Sequence, residues 1–143
     1  MEGRFEARAE KPRLILVDSS VWIDFFSSAP GRAGRELRRL IAEAEPLVLT
    51  GLVVTEVLQG LTRDISRIEH YLSMWNLLEP RGRSTYRQAA ALFRRARTKG
   101  ITLTTIDTLI AAIAQEHGAV IFTIDRDFSR MASVADLSLH LVP

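Results

Sequence analysis

Two short runs, Leu14-Ile15-Leu16-Val17 and Ala119-Val120-Ile121-Phe122, contain no polar side chain, and each gives way within three residues to an aspartate. Successive side chains of a strand point to opposite faces, so an unbroken apolar run suits a strand covered on both faces. A third run, Leu47-Val48-Leu49, ends at Thr50, and residues 137–141 alternate as an edge strand does. Amphipathic helical patterns fill the intervals. The alternation predicts an α/β fold, a central mostly parallel sheet between layers of helices. Ligands of such sheets sit beyond the carboxyl ends of the strands, where Asp18 and Asp125 are expected.

The helices have readable punctuation. Ser19 and Ser20 offer caps for a helix carrying Trp22, Phe25 and Phe26, and Ala29-Pro30-Gly31 ends it. Further helices are expected over 32–44, through Val53–Leu61, over 64–78, over 84–99 and over 106–117. Thr104 or Thr105 caps the last of these, and Gly100 and Gly118 stop the final two. Residues 125–131 are expected as a loop or short helix.

A chain of 143 residues makes one domain. The expected division is a polar tail over 1–13 and one folded domain over 14–143. Cysteine does not occur, which removes disulfides, zinc–thiolate sites and cysteine nucleophiles. His70, His117 and His140 form no ligand motif. No apolar run reaches the roughly 20 residues that span a bilayer, and the N-terminus has no secretory pattern, so a cytoplasmic protein is expected. Net charge is +2, yet all the basic residues except Lys11 and Lys99 are arginine, the residue that binds phosphate in a bidentate way. They gather in 32–39, in 81–87 and in Arg94, Arg95, Arg97 and Lys99. Each group reads either as a solvated helix face or as a phosphate track.

Four acids stand where an α/β sheet collects ligands. Asp18 and Asp125 follow buried strands, although each also suits a cap or turn. Glu56 lies beside the apolar stripe of its helix near Val53, with Gly60 expected to leave room for it. Asp107 opens the helix IDTLIAAIAQEHG, where the helix dipole alone would favour an acid. Converging carboxylates repel, and a divalent cation removes that conflict. Oxygen ligands without nitrogen or sulfur point to Mg²⁺, with Mn²⁺ as the alternative.

Four segments, VDSSVWIDFF, TEVLQG, TIDTLIAAIAQEHG and TIDRDF, resemble in order and spacing those of PIN-domain nucleases, and in detail the VapC-type toxins of toxin–antitoxin pairs. The resemblance covers about residues 14–143, and the thirteen residues before Leu14 depart from it. It implies an α/β/α sandwich with a parallel sheet. It places the catalytic, metal-binding acids at Asp18, Glu56, Asp107 and Asp125, flanked by Ser20 and Thr123, with Asp127 behind the ligands rather than among them. It also implies a Mg²⁺-dependent endoribonuclease acting on structured RNA, an antitoxin partner that occludes the site, and a homodimer. Arg94, Arg95 and Arg97 are the expected RNA contacts, and Trp75, Leu77 and Leu78 an apolar patch for pairing.

Other classes fit less well. An aspartate-nucleophile phosphatase needs an acid where Ser20 stands. A receiver domain needs a lysine near the sheet's carboxyl edge, and a dinucleotide-binding fold needs a glycine-rich turn after the first strand. A PIN-like module that binds RNA or protein without cleaving, or a PIN nuclease of RNA processing without an antitoxin, is the remaining alternative.

Overall fold

The computed structural model describes residues 12–142. Four parallel strands, β1 (Ile15–Val17), β2 (Leu47–Val48), β3 (Val120–Phe122) and β4 (Leu139–His140), form one sheet in the order β2-β1-β3-β4. Seven helices among the described residues surround it: α1 (Ser19–Phe26), α2 (Arg32–Ala42), α3 (Gly51–Gln59), α4 (Ile65–Leu72), α5 (Arg83–Thr98), α6 (Thr105–Glu116) and α7 (Arg126–Ala132). Of the expected tail, residues 1–11 lie outside the described residues. Arg13 packs on the fold, its guanidinium donating to Ser138 Oγ at 3.2 Å.

The strands are short and the sheet is held by burial. Ile15, Leu16 and Val17 are all buried, as are Ile121 and Phe122, so neither face of the central pair meets solvent. β1 aligns Leu16 with Ile121 and Val17 with Phe122, and β3 aligns Phe122 with His140. All carboxyl ends therefore leave at one edge. α5 buries Thr85, Ala89, Leu92 and Ala96 at helical spacing and packs along α6, whose inner face is Ile110, Ala111 and Ala114. Trp22 is fully buried, and its ring meets Phe25, Phe26, Tyr71 and Trp75 at centroid distances of 5.1–6.4 Å. The turn from α1 into α2 is held by Asp24, which accepts from the Gly31 and Gly34 amides. A Cβ on Gly34 would stand 3.0 Å from the Phe25 backbone, so glycine there allows the two helices to close.

Three expectations are corrected. The helix expected over 64–78 ends at Leu72, and Leu77 bridges in parallel to Leu49. The Leu49 N–H donates to Asn76 O and the Leu78 N–H to Leu49 O, so the segment extends the sheet edge beyond β2. Leu78 is buried there and Trp75 joins the aromatic cluster, so of the three residues expected as a patch Leu77 alone stays exposed; Met74, outside the expected three, is exposed as well. Gly60 does not make room for Glu56: a Cβ there would meet only backbone oxygens at 3.8 Å, and Gly60 ends α3 instead.

A buried acid, unanticipated from sequence, faces the edge strand. Glu36 on α2 is 4% exposed; Arg39 Nε donates to its Oε1 at 2.5 Å, and His140 Nε2 of β4 faces its Oε2 at 3.5 Å. The Arg39 hydrogen bond is the main influence holding the Glu36 carboxyl below its ordinary value, against the opposing effect of burial. A lowered folded value means stability that is present above the ordinary carboxylate range and lost as pH falls through it. Glu36→Gln is therefore expected to lower stability at pH 7, by less than the roughly 1.5–3 kcal/mol of a hydrogen bond to a charged group because Arg39 is half exposed. The deficit should shrink towards pH 3, as read by urea unfolding at both pH values.

Candidate metal centre

The site begins where β1 ends. Asp18 continues the β1–β3 ladder through its N–H, which donates to Phe122 O at 2.9 Å. It is the N-cap residue of α1 by position, yet its side chain makes no cap hydrogen bond. Instead Asp18 Oδ2 accepts from Ser20 Oγ at 2.8 Å and from Thr123 Oγ1 at 2.9 Å. Neither Ser19 nor Ser20 caps α1 as expected; both hydroxyls turn to carboxylates. Thr123, the residue after β3, also accepts the Asp125 N–H at 3.0 Å, so one hydroxyl ties the ends of the two central strands together.

Asp125 caps α7, accepting the Asp127 N–H through Oδ1 at 2.9 Å. The cap reading is correct for it, and it faces the acidic cluster as well. Asp107 sits in the first turn of α6, its N–H donating to Thr104 Oγ1 at 3.1 Å, and it is buried. Of the two threonines offered by the sequence, Thr104 is the cap. Glu56 reaches in from α3, half-buried, with Oε1 accepting from Ser19 Oγ at 3.3 Å.

These acids sense one another. Burial is the main cause pushing the Asp107 carboxyl up to about 6; Asp125, Asp18 and Glu56 add to it and a hydrogen bond from Thr104 opposes it. Glu56 is also raised, by burial first and then by Asp18, with Ser19 opposing and Asp125 adding. The chain thus brings Asp18, Glu56, Asp107 and Asp125 to one edge from four separate segments. Asp107, Asp125 and Asp127 each offer a carboxylate oxygen within 4.8 Å of the others. Asp127 therefore stands with the acids. Its signal in the sequence was the D-x-D spacing at a helix start, which puts both side chains on the same first turn.

The donor set fits a hard divalent cation: oxygens only, negative, and mutually repulsive until something positive lies between them. Asp18, Glu56 and Asp125 each have one oxygen held by a hydroxyl or backbone N–H and the other without a hydrogen bond among the described residues. Arg94, Arg95 and Arg97 are exposed on the last turns of α5. Residues 99–104 join α5 to α6 directly, so those turns lie at the end of α6 that carries Asp107.

The raised Asp107 value has a measurable sign. A folded-state value above the unfolded one gives stability that is complete below the unfolded value and lost as pH rises through about 6. In EDTA, Asp107→Asn is expected to stabilise the protein at pH 8 by up to roughly 3 kcal/mol and to change little at pH 4. Denaturant unfolding at the two pH values measures this; a variant no more stable at pH 8 would contradict the crowding of charge.

The PIN domain family model matches residues 15–134. The chain is 34% identical over 128 residues to the VapC ribonuclease Mb1587 of Mycobacterium bovis, covering 87% of this chain and 96% of that protein. It matches ribonuclease VapC11 of Mycobacterium tuberculosis to the same extent. Among solved structures, VapBC2 from Rickettsia felis bound to a promoter DNA fragment superposes with a TM-score of 0.70 at 16% identity, covering 89% of this chain and 97% of that one. VapC20 of Mycobacterium tuberculosis gives 0.63 at 21% identity, covering 86% and 98%. The structural matches share the fold, and the sequence matches carry the family: the chain is a PIN-domain protein of the VapC ribonuclease family.

Proposed function

We propose that this protein is the toxin of a toxin–antitoxin pair, an endoribonuclease that hydrolyses RNA phosphodiester bonds in the cytoplasm with Mg²⁺, or Mn²⁺ in its place. The observation that carries the reading is the convergence of Asp18, Glu56, Asp107 and Asp125 from four segments, with Asp107 pushed up to about 6. Asp18 and Asp107 are the main ligands, and Asp125 with Asp127 completes the oxygen set. The cation supplies polarisation of the scissile phosphate and a water of lowered pKa. Glu56, held at Oε1 by Ser19, would have Oε2 left to orient a water at a bound cation. Ser20 and Thr123 fix Asp18 Oδ2 and so leave Oδ1 to the ligand.

The partners follow from the same chemistry. A concentrated negative site suits occlusion by a basic group of an antitoxin. A homodimer is supported by the exposed Met74 and Leu77, 69% and 43% accessible, and by Tyr86 on α5 at 54%. No helix among the described residues is long and apolar enough to cross a membrane.

Cleavage of RNA is expected to require Mg²⁺ or Mn²⁺ and to stop in EDTA. Asp18→Asn and Asp107→Asn should each lower the rate at least about 100-fold, the scale of lost transition-state electrostatics, while remaining folded. Asp64→Asn is the control: Asp64 sits in the left-handed region that Asn also tolerates, and its Arg67 contact is exposed and 3.6 Å long. Normal cleavage by Asp107→Asn, or full activity in EDTA, would remove the mechanism.

RNA binding should depend on the end of α5. Neutralising Arg94, Arg95 and Arg97 together is expected to weaken affinity and reduce the salt slope by about 2–3 in log–log terms, one phosphate contact each. Fluorescence anisotropy across salt concentrations, with Asp107→Asn as the non-cleaving background, measures it. An unchanged slope would make these arginines a solvated face.

A further inference from the structure

Ser19 and Ser20 are consecutive residues in the first turn of α1, so their side chains point about 100° apart around the helix axis. Neither hydroxyl caps the helix. Ser20 Oγ donates to Asp18 Oδ2, on its own element, whereas Ser19 Oγ crosses to α3 and donates to Glu56 Oε1 at 3.3 Å. Ser19 is buried, and its hydroxyl makes no other hydrogen bond among the described residues.

Glu56 needs such a partner more than the other acids do. Asp125 has the Asp127 N–H and Asp18 has two hydroxyls, each from the start of a helix or the end of a strand. Glu56 lies in the second turn of α3, where backbone N–H groups are committed within the helix. Its longer side chain has three torsions to fix, and the Ser19 hydrogen bond is the one its carboxylate accepts among the described residues. Asp18 and Asp125 both repel it.

We propose that Ser19 is a positioning residue for Glu56: its hydroxyl fixes Oε1 against the repulsion of the neighbouring carboxylates and leaves Oε2 to serve a cation that the cluster would bind. This rests on the metal-site reading above. The two consecutive serines thereby divide the work of holding two carboxylates, one at the end of β1 and one on α3, in one geometry. Ser19 touches neither substrate nor metal; it acts through Glu56.

The test is a double-mutant cycle read by Mn²⁺ binding in titration calorimetry, a readout independent of catalysis, with RNA cleavage measured beside it. Ser19→Ala is expected to weaken Mn²⁺ binding about 10-fold and to lower kcat at saturating Mn²⁺ with KM for RNA little changed. Ser19→Thr, which keeps the hydroxyl, should restore most of both. Ser19→Cys keeps the volume with a far weaker donor and should behave as alanine, so it carries the test should alanine disturb folding. In the Glu56→Ala background, removing the Ser19 hydroxyl should have no further effect on Mn²⁺ affinity. Equal losses in both backgrounds, or full Mn²⁺ affinity in Ser19→Ala and Ser19→Cys, would overturn the assignment. A wild type that binds Mn²⁺ yet cleaves no RNA would sink the nuclease reading and leave the Mn²⁺ cycle on Ser19 intact as a test.

Discussion

Everything at the site depends on β1 pairing with β3 in parallel. The ladder runs from Ile15↔Val120 to Val17↔Phe122 and closes with the Asp18 N–H on Phe122 O. In an antiparallel pair the two chains would leave at opposite ends, and Asp18 would be a strand's length from Thr123. Parallel pairing makes them neighbours, and the Thr123 hydroxyl exploits it by bonding Asp18 Oδ2 and the Asp125 N–H together. The strands are only three residues long, so hydrogen bonding alone would not hold them. Burial of Leu16, Val17, Ile121 and Phe122 on both faces does, at roughly 1.5–3 kcal/mol for each large side chain removed from water. Two helices then complete the edge: Asp107 is the third residue of α6 and Glu56 the sixth of the nine in α3.

That arrangement opposes folding locally. Asp107 and Glu56 both have raised values because burial and like charge disfavour their ionised forms. Hydroxyls and backbone N–H groups around the cluster offset part of this, and each takes a single oxygen. The fold therefore holds carboxylates in place without neutralising them, which leaves the remaining repulsion as a driving force for cation binding. Stability lost at the site is made up in the core around Trp22 and along α5–α6.

The strands and most helices were legible because each depends on local pattern, an apolar run or a helical stripe; the four acids each also suited a cap or a surface position, and their grouping came from the family resemblance. What was not legible depends on residues far apart in the chain. Glu36 and His140 face each other across more than a hundred residues, and nothing local in RAGRELRRLIA distinguishes Glu36 from a surface acid except its place on the inner face. The helix expected over 64–78 failed because Trp75, Leu77 and Leu78 fit helical spacing, while Leu49 offered an unpaired edge that recruited residues 76–78 into the sheet. Ser19 and Ser20 read as caps because serine before an apolar helix usually is one; the nearby carboxylates compete for the same hydroxyls and win.

The two arginine-rich helices show why charge counting along a sequence is not enough. On α2, Arg39 is tied to Glu36 and Glu43, and Arg35 donates to Pro30 O, so part of that run serves the fold. On α5 the sequence RSTYRQAAALFRRART contains no acid at all. The residues one turn before Arg94, Arg95 and Arg97 are Ala90, Ala91 and Phe93, which cannot pair with them. These charges therefore stay uncompensated within the helix, at the end where α6 delivers Asp107. An RNA backbone approaching four carboxylates meets repulsion that screening weakens only over about 8–10 Å. On the proposed reading, the arginines of α5, uncompensated within their helix and at the end of α6 that carries Asp107, would offset that repulsion for a polyanion, which Arg35 and Arg39 of α2, already engaged, would not.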